Sequence, residues 1–452
     1  MLGLDWGRLI LMTAREAAMD LACRIGAAGY CALLAGGCVR DRLLGGEPDD
    51  YDVVTSATPA EVSSIFPRSN LVGAHFGVVI VKHSGHHVEV ATFRTDGSYL
   101  DGRRPDQVEF STPEEDAQRR DFTINGLFED PMDGRVIDYV GGLEDLECRI
   151  LRAIGNPEAR FREDALRLMR AVRFATRLGF EIEPQTHKAL GTCADLLGKI
   201  SVERIRDEFS RILTGPDRRR GVELLVDTGL MRHIVPEVYD LIGCEQPPEF
   251  HPEGDVYTHT MIMLELLDSA APIDLCLAVL LHDIAKPATR TVEEDTGRPR
   301  FNGHDKLGAE MAGTILRRLR YPNEVIDNAG FMVGRHMQFM HVRQMRVAKV
   351  RRFMGAPTFQ KEMELHRVDC ASSNGFTDNY EFLREKEREF ASEPILPPPL
   401  VTGRDLIERG LKPGPRFREI LDYLQNEQLE GRVREREVAL EMLGAMIENE
   451  KE

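Results

Sequence analysis

The sequence predicts an α+β head followed by a mostly α-helical remainder. Three observations lead there. Apolar runs of strand length lie in the first 140 or so residues. From Asp145 onward the apolar residues recur at helical spacing. At 452 residues the chain is too long for one core and has room for two to four domains.

The elements follow in order. Residues 13–29 place Ala, Leu and Ile on one helical face and end at Gly29. Residues 31–35, Cys-Ala-Leu-Leu-Ala, read as a short buried strand running into Gly36-Gly37. Val39 to Leu44 predict a helix of one to two turns, stopped by Gly45-Gly46, and Asp52 to Thr55 a strand. Thr58-Pro59-Ala-Glu61 opens a helix with a capping residue and a proline at the first helical position. Phe76 to Lys82 and His87 to Thr92 alternate and predict a hairpin closed by Ser84-Gly85. Residues 95–117, polar and rich in Gly, Asp, Pro and Arg, predict one long loop, and loops of that length are often functional or mobile. A further strand is expected over 135–140, ended by Gly141-Gly142. One helix is expected through Phe161–Phe174, and Ser201 caps the first of more helices over 201–235. Gly243 to Gly254 reads as a linker, Glu393 to Leu400 as a stiff proline-rich connector, and 416–449 as a final amphipathic helix.

Composition narrows the function classes. No apolar run reaches the roughly 18 residues that span a bilayer, and the N-terminal Leu-Ile-Leu-Met patch has no cleavage site, which predicts a cytoplasmic protein without a membrane partner. Eight cysteines scattered without a Cys-x-x-Cys pair read as reduced core residues. The net charge of −17 argues against a protein that is basic all over. Residues 149–220 nevertheless hold 14 Arg and 2 Lys against 10 acids, a local excess of +6 that suits a phosphate-rich partner or a salt-bridged helical bundle.

Two constellations carry chemistry. In the first, Gly36-Gly37 allows backbone amides to approach phosphate, a helix start carrying Arg40 follows, and Asp50 and Asp52 point to one face of a strand. Two such carboxylates repel unless a divalent cation lies between them. Together these describe a site for a nucleoside triphosphate and magnesium. Glu89, opposite Val88 and Val90, is either a third carboxylate there or an ordinary strand residue. Arg119-Arg120-Asp121 with Asn125 is either a surface ion-pair cluster or a grip on triphosphate and sugar. On the 161–174 helix, Glu163, Arg167, Arg170 and Phe174 share a face with Asp164 beside them. They form either a salt-bridged surface or an acceptor and donor edge offered to a nucleobase. The second constellation is His259, His282-Asp283, His304, His336 and Asp369. A His-Asp pair at the end of an apolar helix needs a metal or hydrogen bonds, and this donor set suits Mn, Fe, Co, Ni or Zn.

The first 215 or so residues resemble the bacterial-type (class II) CCA-adding tRNA nucleotidyltransferases and the related bacterial poly(A) polymerases. The matching motifs are Leu34-Ala-Gly-Gly-Cys-Val-Arg-Asp41, Asp50-Tyr-Asp52, Arg119-Arg-Asp-Phe-Thr-Ile-Asn125 and Arg162-Glu-Asp-Ala-Leu-Arg167. Residues 258–369 look like an HD phosphohydrolase domain, and Gly403-Arg-Asp-Leu with Pro413-Gly-Pro415 resembles the C-terminal body of the same polymerases. The resemblance implies a polymerase-β-like head with a mixed sheet over 1–145, a helical, RNA-binding neck over 146–240, an HD domain over 250–375 and a helical body and tail over 376–452. It implies template-independent addition of CCA to the 3′ end of tRNA, gripped by its acceptor arm, from CTP and ATP. Asp50 and Asp52 would hold two Mg2+ ions, with Asp121 counted among the catalytic residues. Gly36, Gly37, Arg40, Arg94, Arg120 and Asn125 would hold the nucleotide's phosphates and sugar. Asp164 and Arg167 would read its base, supported by Glu163, Arg170 and Arg173, and the 95–117 loop would help choose between C and A. His259, His282, Asp283, His304, His336 and Asp369 would ligate a transition-metal divalent ion for phosphoester hydrolysis, or would belong to an HD fold kept for tRNA binding. The alternatives are an A-adding enzyme, a poly(A) polymerase, and an RNA phosphohydrolase with a non-catalytic head. The acidic net charge and the lack of a long basic tail weigh against the poly(A) polymerase.

Overall fold

A computed structural model of the chain describes residues 12–48, 50–70, 77–96 and 108–448. It divides into two compact units, the first ending at Pro236 and the second beginning at Glu237.

The first unit opens with the helix Ala14–Ala27. Thr13 and Glu16 close a reciprocal capping box, and Ala17, Ala18, Leu21, Ala22 and Ile25 form its buried face. Eleven strands follow among the described residues: β1 Ala32–Ala35, β2 Asp52–Thr55, β3 Ser69–Asn70, β4 Val78–His83, β5 His86–Thr92, β6 Arg94–Asp96, β7 Val108–Phe110, β8 Leu127–Glu129, β9 Val136–Asp138, and the short parallel pair β10 Ile150–Leu151 and β11 Glu181–Ile182. Seven of them form one sheet in the order β3-β4-β5-β2-β1-β8-β9. β2 runs parallel to β5 and antiparallel to β1, so the sheet is mixed. All four residues of β1 are buried, as befits a central strand. Leu33, Ala35, Val54, Phe93, Ala117 and Phe128 pack into one cluster, and each large apolar side chain buried this way is worth about 1.5–3 kcal/mol.

Four expectations need correction. The region 95–117 is not one loop: β6 pairs with β7, and Thr112 caps a helix Pro113–Gln118 with the same Thr-Pro-x-Glu chemistry as Thr58. Residues 97–107, like Asp49 and Phe76, lie outside the described residues. The expected helix through 161–174 is broken into Pro157–Glu163 and Leu166–Leu178. Asp164 between them is extended (φ −136°, ψ 103°), and its carboxylate accepts the Leu166 N–H at 3.0 Å, the local side-chain bond by which Asp competes with helix continuation. Ser201 occupies the N-cap position of Val202–Leu213, but its hydroxyl makes no capping bond. The expected last helix is two, Pro415–Leu429 and Arg436–Glu448, separated around Gly431 at φ +75°.

The second unit is helical, apart from a two-stranded pairing of Thr291–Val292 with Pro299–Arg300. Stretch 243–254, read as a linker, packs into this unit: Gln246 and Glu253 bond side chains of later helices. The apolar helix Ile273–Leu281 ends at His282, as its sequence implies. Among the described residues, no helix is long and apolar enough to cross a membrane.

Candidate active sites

The site of the first unit starts from strand register. Ala35 pairs with Asp52, and Asp52 pairs with Glu89, so the two acids stand side by side on adjacent strands, Asp52 at the start of β2 and Glu89 in the middle of β5. Desolvation in the cleft, then the charge of Glu89, raise the Asp52 carboxyl to about 6, with Asp50 adding to the effect and Arg120 opposing it. Such a carboxyl is poised for a cation. The donor chemistry therefore fits the divalent ions expected there, with Asp50 and Asp52 facing the cleft and Glu89 beside them.

Gly36 ends β1 at φ +76°, a conformation that L side chains rarely adopt, and a Cβ there would lie 2.7 Å from Nη1 of Arg120. Its first role is thus to let the Arg120 guanidinium approach. Arg40, 2% exposed, donates to Asp41 at 2.7 Å and to the Asn125 side-chain oxygen. Arg119 and Arg120 are both anchored on Asp116, at 2.6 and 3.0 Å. Burial pushes that carboxyl up, but Arg120 and Arg119 outweigh it and hold it below its ordinary range. Asp121 is buried. Its carboxylate accepts from Arg170 at 2.6 Å, from the Asn125 amide at 3.0 Å and from the Phe122 N–H at 2.9 Å. Arg170 and Asn125 overcome the cost of burial and keep Asp121 well below the usual carboxylate range. Both Asp121 oxygens are thus already engaged.

Helix Leu166–Leu178 brings the remaining arginines. The guanidiniums of Arg40, Arg170 and Arg173 lie 5.0, 5.2 and 4.2 Å from the centre of the Phe174 ring. Arg173 is also tied to buried Glu208 at 2.6 Å. Arg167 is held by Glu163 at 2.7 Å and by the carbonyls of Arg160 and Arg119, each at 3.0 Å. Asp164 pairs with Arg204 at 3.4 Å.

One cavity of about 590 Å³ gathers Gly36, Gly37, Arg40, Asp50, Asp52, Arg120, Asp121, Asn125, Asp164, Arg167, Arg170 and Arg173. Eight arginines line it against five aspartates, the balance expected for a polyanion. Two expected residues lie off its wall. Glu163 acts behind Arg167, and Arg94 on β6 accepts the Arg119 Nε through its carbonyl at 3.0 Å. Sequence reasoning missed Asp116, Arg177 and Arg204. Asp116 was within reach, because an acid three and four residues before an arginine pair is the helical ion-pair spacing.

The second unit holds the histidine cluster. The Nδ1 atoms of His282, His304 and His336 donate to the carbonyls of Val279, Phe301 and Val333 at 2.8, 2.6 and 2.6 Å. A carbonyl can only accept, so in the neutral ring the lone pair lies on Nε2. The Nε2 atoms of His304 and His336 then face each other at 3.1 Å, and both converge on Asp283 Oδ1, at 3.4 and 3.8 Å. The His282 Nε2 and Asp283 Oδ1 are buried without a hydrogen-bond partner. Burial lowers His336 to about 4, which keeps it neutral and ready to donate a lone pair. Ring nitrogens facing each other and buried acceptors without a hydrogen-bond partner are what a divalent ion would resolve, so these residues fit a metal.

Asp283 belongs to two close-set groups, one with His259 and His282 and one with His304 and His336. His259 is wholly buried, with Asp369 3.2 Å from Nε2 and Glu253 2.7 Å from Nδ1. Burial lowers its pKa, but Asp369 and Glu253 overcome this and raise it to about 9. Of the six expected residues, His282, Asp283, His304, His336 and Asp369 line one cavity of about 620 Å³, and His259 lies behind it. Glu253 and Lys286 were missed. Lys286 Nζ lies 2.6 Å from Asp283, and Glu253 orients His259 from the stretch read as a linker. Glu253→Gln is expected to weaken metal binding about 10–100-fold, as read by calorimetric titration with Co2+. Unchanged affinity would remove Glu253 from this role.

Comparison with known proteins agrees with this geometry. Residues 32–152 match the Poly A polymerase head domain, 179–241 the probable RNA and SrmB-binding site of polymerase A, and 256–365 the HD domain. The CCA-adding enzyme of Lacticaseibacillus paracasei is 50% identical over 219 residues, 48% of this chain and 55% of that one; the chain thus spans about half the length of several curated relatives it matches. The crystal structure of the Bacillus stearothermophilus CCA-adding enzyme in complex with CTP aligns with 97% of this chain and 100% of its own, at TM-score 0.72 and 29% identity. The CCA-adding enzyme of Geobacillus stearothermophilus is 35% identical over 409 residues, 90% of each chain. That likeness covers nine-tenths of the chain, and by it the chain belongs to the CCA-adding enzyme family.

Proposed function

We propose that this chain adds CCA to the 3′ ends of tRNA from CTP and ATP without a nucleic-acid template. One observation carries the reading. A single cavity joins the Asp50/Asp52 pair to an arginine-rich wall and to Asp164 and Arg167. Asp50 and Asp52 are the residues that would hold Mg2+, with Glu89 adjoining. When bound, the metal activates the attacking hydroxyl and neutralises the triphosphate. In this reading the RNA 3′-oxygen attacks the α-phosphorus and pyrophosphate leaves. Arg120, anchored on Asp116, and Arg40, anchored on Asn125, grip the phosphates. Asp121 and Asn125 fix that wall. Asp164 accepts from the base and Arg167 donates to it. Each is held in place, Asp164 by Arg204 and Arg167 by Glu163. The basic stretch 149–220 offers a track for the acceptor arm. A cytoplasmic location is part of the proposal, supported by eight cysteines that form no disulfide among the described residues.

The test supplies purified protein with tRNA ending before CCA and with tRNA ending in CC, plus labelled CTP or ATP. The expected result is CTP incorporation on the first substrate and a single A on the second. ATP incorporation alone would make it an A-adding enzyme, and long A tails on unrelated RNA a poly(A) polymerase.

A second reading rests on the opposed imidazole lone pairs around Asp283. The second unit hydrolyses phosphoesters with a bound Mn, Fe, Co, Ni or Zn ion, held by His259, His282, Asp283, His304, His336 and Asp369. Asp283→Asn would then abolish phosphatase activity and leave CTP incorporation unchanged. Equal loss of both would sink the idea of two separate activities.

A further inference from the structure

A smaller cavity of the first unit, about 260 Å³, is lined by Asp50, Tyr51, Gly85, His86 and His87. It shares Asp50 with the arginine-rich cavity, yet among the described residues no arginine lines it. Strand register decides which side chains stand beside it. Glu89 pairs with Asp52 across β2, and His87 pairs with Lys82 across β4. Paired residues share a face, and so do alternate residues along one strand. Asp52, Glu89, His87 and Lys82 therefore stand on one side of the sheet, while Val88 and Val90 are buried on the other. The Lys82–His87 pair lies about 7 Å along the strands from Glu89. Both side chains are exposed, and among the described residues no hydrogen bond or ion pair engages either of them. The hairpin that carries them is stiff. Ser84 and Gly85 both have positive φ, at 48° and 88°, as a two-residue turn matched to the strand twist requires. His86 donates to the Met12 carbonyl at 2.8 Å, which ties the turn to the start of the first helix.

We propose that Lys82 and His87 form a ledge that holds a backbone phosphate of the RNA strand whose 3′-hydroxyl reacts at Asp50 and Asp52. In-line transfer sets the direction of approach. Under the proposed function the arginines hold the triphosphate in the large cavity, and pyrophosphate leaves toward them. The attacking oxygen then comes from the opposite side of the α-phosphorus. The small cavity reaches Asp50 without the arginine wall, so it is open to the strand that brings this oxygen. Neighbouring strands lie about 5 Å apart, which lets the Lys82 ammonium and the His87 ring N–H meet one phosphate. Glu89 and Asp50, the acids nearest this ledge, are the ones that face the expected Mg2+. A cationic track for a single strand needs no base-specific contact, so the ledge grips the strand whether its last nucleotide is C or A. The proposal deepens the CCA-adding reading and rests on it for the direction of attack.

The test uses the full-length protein with a labelled tRNA ending in CC, and the same tRNA cut back to its last paired nucleotide as a control without a single-stranded end. Binding is read by fluorescence anisotropy across a range of salt. The wild type is expected to prefer the tRNA ending in CC. Lys82→Ala combined with His87→Ala is expected to weaken that tRNA about tenfold and leave the control unchanged. The slope of log affinity against log salt should fall by about 0.7, the value for one phosphate contact on a single strand. Lys82→Arg alone should keep near-wild-type affinity, since a cation still meets the phosphate. In A addition to the same tRNA, the double change is expected to raise the KM for tRNA and not the KM for ATP. A purely structural role would lower the melting temperature and weaken both RNAs alike. That result, or an unmoved KM for tRNA with an unchanged salt slope, would overturn the proposal. A wild type that adds CTP and ATP while its preference ignores both residues removes the ledge and leaves CCA addition standing. A wild type that adds no nucleotide but keeps a preference sensitive to Lys82 and His87 refutes the CCA reading and sustains the strand site.

Discussion

Asp52→Asn is expected to cut nucleotide incorporation by about 10³-fold or more, because under the proposed function the change would remove a charged ligand from a metal that would supply several kcal/mol. The same change is expected to leave the melting temperature at pH 7 level or slightly higher. The sign follows from the environment of Asp52. Desolvation and the neighbouring Glu89 raise its carboxyl to about 6. A carboxyl raised above its unfolded value favours the fold at low pH and opposes it once pH climbs past the folded value. Asn removes that opposition. Lost activity with an intact melting curve therefore marks Asp52 as a reacting-site residue. Incorporation within about tenfold of wild type would end the metal assignment.

Arg170→Ala carries the largest expected effect on stability. Asp121 is 8% exposed, and its carboxylate depends on Arg170 for its only charged partner within 4 Å among the described residues. Removing Arg170, whose side chain is 34% exposed, leaves the buried carboxylate uncompensated, at about 3 kcal/mol, the lower end of the range for a fully buried pair. For a unit of this size that is a fall in melting temperature of about 10 °C. Asp121 is held well below the ordinary carboxylate range, so its contribution is present above that range and fades as pH falls through it. The gap between wild type and variant should accordingly narrow between pH 7 and pH 3. Arg170→Leu combined with Asp121→Leu should recover part of the loss, since no lone charge remains. A melting temperature within a degree or two of wild type at pH 7 would show that the pair contributes little.

What was legible in the sequence was chemistry carried by neighbours in the chain. β1 announced itself as an uninterrupted apolar run into Gly36-Gly37, and Asp50 and Asp52 as an alternating pair. His282-Asp283 stood out because charge at the end of an apolar helix needs a reason. What escaped depended on partners distant in sequence or on local competition. Asp116 looked like one of several acids in a polar stretch, and only folding shows it at 0% exposure beneath two arginines. Helical spacing carried the 161–174 reading past Asp164, whose side chain instead captures a backbone N–H and ends the first helix. Even so, Glu163 still reaches Arg167, because a tight break preserves their proximity. Glu253 was hidden by Pro and Gly neighbours that suggested a linker, while its role is set by His259 one helix later.

The ion pair between Asp121 and Arg170 also bears on how the first unit can be divided. The match to the polymerase head ends at residue 152, which invites a cut there. A fragment ending at that point would retain the buried carboxylate of Asp121 and lose the guanidinium that neutralises it. It would also lose Phe174, on which Arg40 packs. The border of the recurring sequence module therefore falls inside a single electrostatic unit. On a growing chain, Asp121 and Arg40 lack these partners until the helix Leu166–Leu178 has been synthesised.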